Sequence, residues 1–470
     1  MASSETANIP HIHTLPDDIF REIFTLTLSN HVSEYDTPIQ YVLGTVCRRW
    51  REIILHSPLL WTDIHAPLKG SYDPFIFFER SSPALIDVSV SPPRPWLNRR
   101  TPCKSDLEFY FRISDSISKN LPRLRRFFVV VDNFEQLDCL FTSWANREVP
   151  NLRKLKVECE DYYQGILATF LNNGKSLCNT KVPGLQFESF PILPNMTSLE
   201  FAYIKPNVDE LQVLFSQVPA LEILIIGTLG QPEEFSSNLV PYGLEIEAPS
   251  LKSLAIGLND EHKEFCKCVL PYFPVKNLEY LEISLIGTVF TDQHTHSILS
   301  RFKDCTCLRN VRIHNPPPLE ENMFFLPSGP GTIDLEFIYC PGLQCFILDP
   351  SNMNAKSVTF DLTAVSGDSF MNTFYDFLCD HPTLQRPISL HCTCTEEVAA
   401  FRRSTKTKFS LQEEPLSPGF LDGYVKDHTR YVVVSDDEYG DDADASWDDY
   451  EDDYEDDYED GVEYDSDASL

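Results

Sequence analysis

The sequence predicts an α/β chain: a small all-α head, then a long stack of strand–helix repeats, then a disordered acidic tail. Three observations predict it. Residues 12–61 carry 23 apolar residues in 50 positions, many at helical spacing. From Leu124 a six-residue pattern with apolar positions one, four and six recurs ten times. Residues 431–470 hold 19 Asp and Glu and no Lys or Arg.

The head comes first. Leu15-Pro16 reads as an apolar staple at a helix start. Asp17 and Asp18 follow in the first turn, where carboxylates meet the positive end of the helix dipole. Ile19, Phe20, Ile23 and Phe24 then make one apolar stripe. A second helix is predicted from Pro38, because a first-turn proline loses no hydrogen bond; it carries Ile39, Val42, Leu43 and Val46. A third stretch runs from Trp50 through Ile53, Ile54 and Leu55 to Pro58-Leu59-Leu60-Trp61. Three short helices bury only about 60% of their surface alone, so this head needs cover, either from the rest of the chain or from another polypeptide.

The order Leu-Pro, a helix with Ile/Phe pairs, Val-Cys-x-x-Trp and Leu-Trp resembles an F-box, in the form common among fungal F-box proteins. The resemblance spans residues 12–61. It implies binding of a Skp-type adaptor and, through it, a cullin ligase core. The matching, adaptor-binding positions are Leu15, Pro16, Ile19, Phe20, Ile23, Val46, Cys47, Trp50 and Trp61. The chain departs from the pattern in a longer connection, Ser29–Thr37, and in a second helix that opens Pro38-Ile39-Gln40.

Residues 62–120 read as a linker and N-terminal cap for the stack. Prolines punctuate them, the alternation of Ala84–Val90 predicts a strand, and Leu107–Leu121 predicts the first repeat helix.

The repeats occupy residues 121–410. Clear copies are Leu124-Phe127-Val129, Leu152-Leu155-Val157, Met196-Leu199-Phe201, Leu221-Leu224-Ile226, Leu251-Leu254-Ile256, Leu278-Leu281-Ile283 and Leu308-Val311-Ile313. Looser copies start at Thr332, Ala355 and Leu384. The last two positions lie two apart, as strand alternation requires. Seven copies carry proline two residues before the first position, which ends one helix and feeds the next strand. Between copies, Phe134, Leu137, Phe141 and Trp144 share a helix face, as do Val208, Leu211, Phe215 and Val218, and Phe370, Phe374 and Phe377. Most intervals lie near the leucine-rich-repeat period of about 20–29 residues. The region resembles the irregular leucine-rich-repeat solenoid of many F-box proteins, with the usual Asn/Cys position filled only by Asn259, Cys340 and Cys392. A 44-residue interval between Leu152 and Met196 hides an insertion or a degenerate copy around Leu185–Phe190. The competing reading is an ordinary α/β domain with a parallel sheet, whose strands would be near-continuous apolar runs.

Net charge is −33, of which the tail supplies more than half. Residues 435–470 have too little aliphatic surface to offset ordering entropy and are expected to be disordered. They solubilise the chain, offer Ser435, Ser446 and Ser466 to an acid-directed kinase, or contact a basic partner. A chain so acidic disfavours nucleic-acid binding, no apolar run is long enough to span a membrane, and the polar Met1–Pro10 carries no signal segment. The fourteen cysteines lack framework spacing, as in a reducing compartment, cytoplasmic or nuclear.

No catalytic motif appears, and neither a cofactor nor a metal is implied. The pairs Cys266/Cys268, Cys305/Cys307 and Cys392/Cys394 have the wrong spacing for common zinc sites and read as buried core thiols. The expectation is therefore a non-enzyme, a substrate-receptor subunit of a Skp-cullin-F-box ubiquitin ligase that binds an unidentified protein target through its repeats. The alternatives are a leucine-rich-repeat scaffold with no ligase role and an acidic chaperone of basic proteins.

Overall fold

Two apolar columns organise the molecule. In a computed structural model of the chain, fourteen strands form one parallel sheet whose neighbours follow chain order. The structure describes residues 12–29, 38–67, 73–92, 104–144, 146–159, 170–171, 174–184, 190–230, 246–258, 269–285, 305–314, 333–338, 355–361, 388–391, 409–412 and 418–424. The chain divides into two units, Met1–Lys426 and Asp427–Leu470, and every described residue lies in the first. The acidic tail, the helix read at Phe370–Phe377 and two of the Cys-x-Cys pairs lie outside the described residues.

The strands are β1 Asp63–Pro67, β2 Ile86–Ser91, β3 Leu124–Val131, β4 Lys154–Cys159, β5 Asn179–Val182, β6 Ser198–Ile204 and β7 Ile223–Leu229. They continue as β8 Ser253–Leu258, β9 Tyr280–Leu285, β10 Asn310–His314, β11 Ile333–Ile338, β12 Ala355–Asp361, β13 Ile388–His391 and β14 Phe409–Gln412. The fourth position of each pattern copy pairs with the fourth position of the next, except that the copy read from Leu384 is out by one residue: Ile388, not Pro387, takes the paired position, because proline has no N–H to give the ladder. The register runs Ile64↔Val88↔Phe127↔Leu155↔Thr180↔Leu199↔Leu224↔Leu254↔Leu281↔Val311. The sixth positions form the second column, from Ala66 to Ile313. Every member of both columns over this span is buried. The register then carries on through Leu335, Val358, Ile388 and Phe409.

Hydrogen bonds repeat with the strands. The residue before the first position is often Asn or Ser, and its side chain donates to a carbonyl of the preceding copy. Asn151 donates to the Pro122 carbonyl at 2.7 Å, Ser176 to Pro150 at 2.6 Å, Ser250 to Pro219 at 2.9 Å and Asn277 to Pro249 at 3.0 Å. The proline has no N–H to satisfy, and its carbonyl becomes the rung of a side-chain ladder along the sheet edge.

Two strands correct the sequence reading. The long interval holds a degenerate copy, Leu177-x-x-Thr180-x-Val182, while residues 185–189, where the sequence reading placed one, lie outside the described residues. Thr180 fills an inward position that is apolar elsewhere, which masks the pattern. The first copy is Trp61-x-x-Ile64-x-Ala66, so the end of the head is also the start of the sheet.

Helices cover the column side. In the head, α1 Asp17–Ser29, α2 Ile39–Val46 and α3 Arg48–Leu55 precede a 3-10 turn, Pro58–Trp61. Next come α4 Phe75–Arg80, α5 Lys104–Asn120, α6 Phe134–Phe141 and α7 Val208–Gln217. In α7, Asn207 and Glu210 form a reciprocal capping box, and Val208, Leu211 and Phe215 are buried. In α6 the expected apolar face holds except at Phe134, which is exposed. Cys305 and Cys307 lie in a turn, not a strand: Cys305 is buried and donates to the Val275 carbonyl, while Cys307 is exposed, so they are not a pair of core thiols. Among the described residues, no helix is long and apolar enough to cross a membrane.

Candidate functional site

Two surfaces stand out, one on the head and one on the sheet. The head is knitted internally. Phe20, Phe24 and Trp50 form an aromatic cluster with ring centroids 5.1–5.9 Å apart. Arg49 reaches Asp17 at 2.6 Å and the Leu15 carbonyl at 2.7 Å, tying α3 to the start of α1. Gln40 donates to the Leu60 carbonyl at 2.8 Å, and the Trp61 indole donates to Ile54 at 2.8 Å. Trp61 also packs edge-on against Tyr41 and Phe77, joining the head to α4 and the sheet.

Though its interior is packed this way, with only the Trp50 indole N–H left without a partner among these contacts, the head still leaves apolar side chains in water. Fourteen large apolar side chains are exposed among the described residues, and eight of them lie between residues 12 and 59. Ile19, Ile23 and Leu26 form a stripe along α1, four and three residues apart, and Val42 and Val46 form another on α2. Ile12, Leu55 and Leu59 complete the set, with Leu59 74% exposed. Scattered single apolar residues need no explanation, but their concentration on one small element group makes this a candidate interaction surface.

The nine residues anticipated for adaptor binding therefore separate. Pro16, Ile19, Ile23 and Val46 are exposed. Leu15, Cys47 and Trp50 are half-buried. Phe20 and Trp61 are sealed in the interior, so they shape the surface from beneath and do not form it. Leu26, Val42, Leu55 and Leu59 are exposed on the same element group without being among the nine, although the spacing 19–23–26 was a legible signal.

The second surface is the sheet face opposite the columns. Here the residues between the fourth and sixth positions point outward: Lys156, Lys181, Glu200, Ile225, Ala255, Glu282 and Arg312 in successive strands. Lys181 bridges Glu158 at 3.2 Å and Glu200 at 2.9 Å. Burial pulls the Lys181 pKa down, but these two carboxylates hold it above the ordinary value.

The chain itself lies on this face. Residues 418–424 cross it as a strap. Leu421 is fully buried against Ile225 and Ala255. The Phe420 and Leu421 backbone N–H groups donate to the two Glu282 oxygens, at 2.7 and 3.1 Å. Tyr424 donates to Glu200 at 2.7 Å, and the Lys181 ammonium sits 5.1 Å from its ring centre. A Cβ on Gly227 would overlap that ring, and one on Gly419 would overlap the Glu282 carboxylate and the Arg312 guanidinium. Glycine is required at both by this close approach.

Glu282 is the hub. It is fully buried and also accepts from the Tyr280 hydroxyl at 2.9 Å and from His314 Nε2 at 2.7 Å. Burial pushes its carboxyl pKa up, yet His314 and the surrounding donors hold it below the ordinary value. An ionised Glu282 only accepts, so the Nε2 of His314 carries the proton. Burial beside this carboxylate pushes the Tyr280 hydroxyl pKa up, and burial with Glu200 does the same to Tyr424. Arg312 pairs with Glu336 at 2.5 Å and lies 3.7 Å from Asp422. The ligand atoms of Glu282, His314 and Asp422 lie within 4.8 Å of one another. A cation there would sit beside the Arg312 guanidinium and compete with hydrogen bonds that Glu282 already accepts, so the cluster reads as a hydrogen-bonded ion-pair network more than as a metal site.

No family model and no curated protein sequence matches the chain.

Proposed function

We propose that the chain is the substrate-receptor subunit of a Skp-cullin-F-box ubiquitin ligase. In this reading the head is an F-box and docks a Skp-type adaptor through Ile19, Ile23, Leu26, Val42 and Val46. The sequential parallel sheet is an irregular leucine-rich-repeat solenoid that holds a protein target. The chain supplies no catalytic group and no cofactor. It contributes proximity, raising the target's effective concentration at the ubiquitin-loaded subunit. The observation that carries the reading is the cluster of exposed apolar side chains on a head whose interior is already packed.

A second reading has its own support. Trp61 closes the last turn of the head two residues before the first strand and is buried with Ile64, as a cap built for the sheet would be. The head would then cover the stack in cis, in a leucine-rich-repeat scaffold without a ligase role. Affinity purification from cells separates the two. The receptor reading expects adaptor and cullin with the wild-type chain and neither with Ile19→Asp/Ile23→Asp. Equal recovery of both by the two proteins, or recovery by neither, favours the scaffold.

A further inference from the structure

We infer that residues 418–424 are an exchangeable occupant of a peptide-binding site, and that their chemistry states the class of peptide the site takes. That class is a short segment with an aromatic–aliphatic pair, an acidic residue directly after it and a tyrosine two residues further on. Each feature has its own partner on the sheet. Leu421 fills the pocket of Ile225 and Ala255, which bury it completely and which form an apolar cluster separate from the main core. Phe420 stacks edge-on against Tyr280 with centroids 5.3 Å apart and stays partly exposed. The acidic residue accepts from the strap's own Gly419 N–H at 2.9 Å and lies 3.7 Å from Arg312, whose side chain is buried. The tyrosine hydroxyl meets Glu200 while its ring lies against Gly227 and Lys181.

The geometry resembles a bound ligand more than a strand of the fold. The strap adds no strand to the sheet and is held by side chains of the open face. Its anchoring to Glu282 runs through backbone N–H groups, which any peptide except proline presents. The pocket strands lie far from it in sequence, with Glu282 138 residues before Phe420. A tethered occupant of this kind competes at an effective concentration on the order of millimolar. An external peptide then binds the full chain more weakly by roughly 10–100-fold, as the fraction of open sites dictates. For the target in the proposed receptor function, the inference rests on that reading; peptide binding itself does not.

The test is fluorescence anisotropy with a fluorescein-labelled peptide of residues 416–426. It is titrated against the full chain, the full chain carrying Leu421→Asp/Tyr424→Ala, and the latter with Gly227→Val added. The released double variant binds the peptide at least tenfold more tightly than the wild type. Wild type still binds saturably, the added Gly227→Val abolishes binding, and so does replacing Asp422 by Lys in the peptide. Should circular dichroism show the double variant unfolded, Tyr424→Ala alone takes its place, with at least a threefold gain expected. Equal affinity of wild type and released chain, indifference to Gly227→Val, or no wild-type binding at millimolar peptide overturns the inference. Adaptor capture is scored separately. Peptide binding without adaptor capture removes the ligase reading alone, and the converse removes this inference alone.

Discussion

Ile23 and Phe20 lie three residues apart on α1, and their difference in exposure sets opposite expectations. Ile23 faces water, so Ile23→Asp leaves the melting temperature within about 2 °C of wild type while abolishing adaptor capture. Phe20 packs on Phe24 and Trp50, so Phe20→Ala costs about 3–5 kcal/mol in urea unfolding and reduces capture only through unfolding. Leu15 is half-buried against the core, so its truncation mixes both effects and makes a poor probe. Thr180 supplies a prediction of the other sign. Its hydroxyl is buried and has no hydrogen-bond partner among the described residues, in a column otherwise made of apolar side chains. Thr180→Val keeps the shape, removes the unpaired group and raises stability by about 1 kcal/mol or more, read by urea denaturation. That same threonine hid β5 from the sequence pattern, because a polar residue at the fourth position breaks the only periodicity by which a four-residue strand can be seen.

The strap is a single element with a pH signature. The Glu282 carboxyl is held below its ordinary value of 4.5, so its contribution is complete above that pH and is lost as pH falls through the lower folded value. Tyr280, His314, Arg312, Glu336 and Asp422 face it. Acidification below 4.5 therefore weakens strap docking, seen as faster amide exchange at Phe420 and Leu421, and Glu282→Gln removes that pH dependence. Nothing in the sequence announced this element. Seven residues that touch strands more than a hundred positions away carry no repeat and no spacing of their own. The repeat strands were legible for the opposite reason, since position four faces position four in every neighbour and the same residue types recur. The Asn/Ser ladder sat in plain view as Pro-Asn-Leu and Pro-Ser-Leu. Its meaning needed the geometry, because the acceptor is the proline carbonyl of the copy before.

At the scale of the whole sheet, each described strand pairs only with its neighbours in chain order, so stability is expected to be close to a sum of neighbour terms. Trp61 makes the head part of that sum. Cutting the chain after residue 61 strips the first rung from Ile64 and Ala66, so deletion of the head lowers the stability of the sheet as well as removing the docking face. Point substitutions on the exposed stripe avoid this, and they isolate the claim on which the functional account depends. The direct measurement is isothermal titration of the purified full chain with a purified Skp-type adaptor, alongside the Ile19→Asp/Ile23→Asp variant. The account predicts saturable binding with a negative heat-capacity change for the wild type and at least a hundredfold loss for a variant whose melting temperature is unchanged. No binding by the wild type, or equal binding by both, would contradict it.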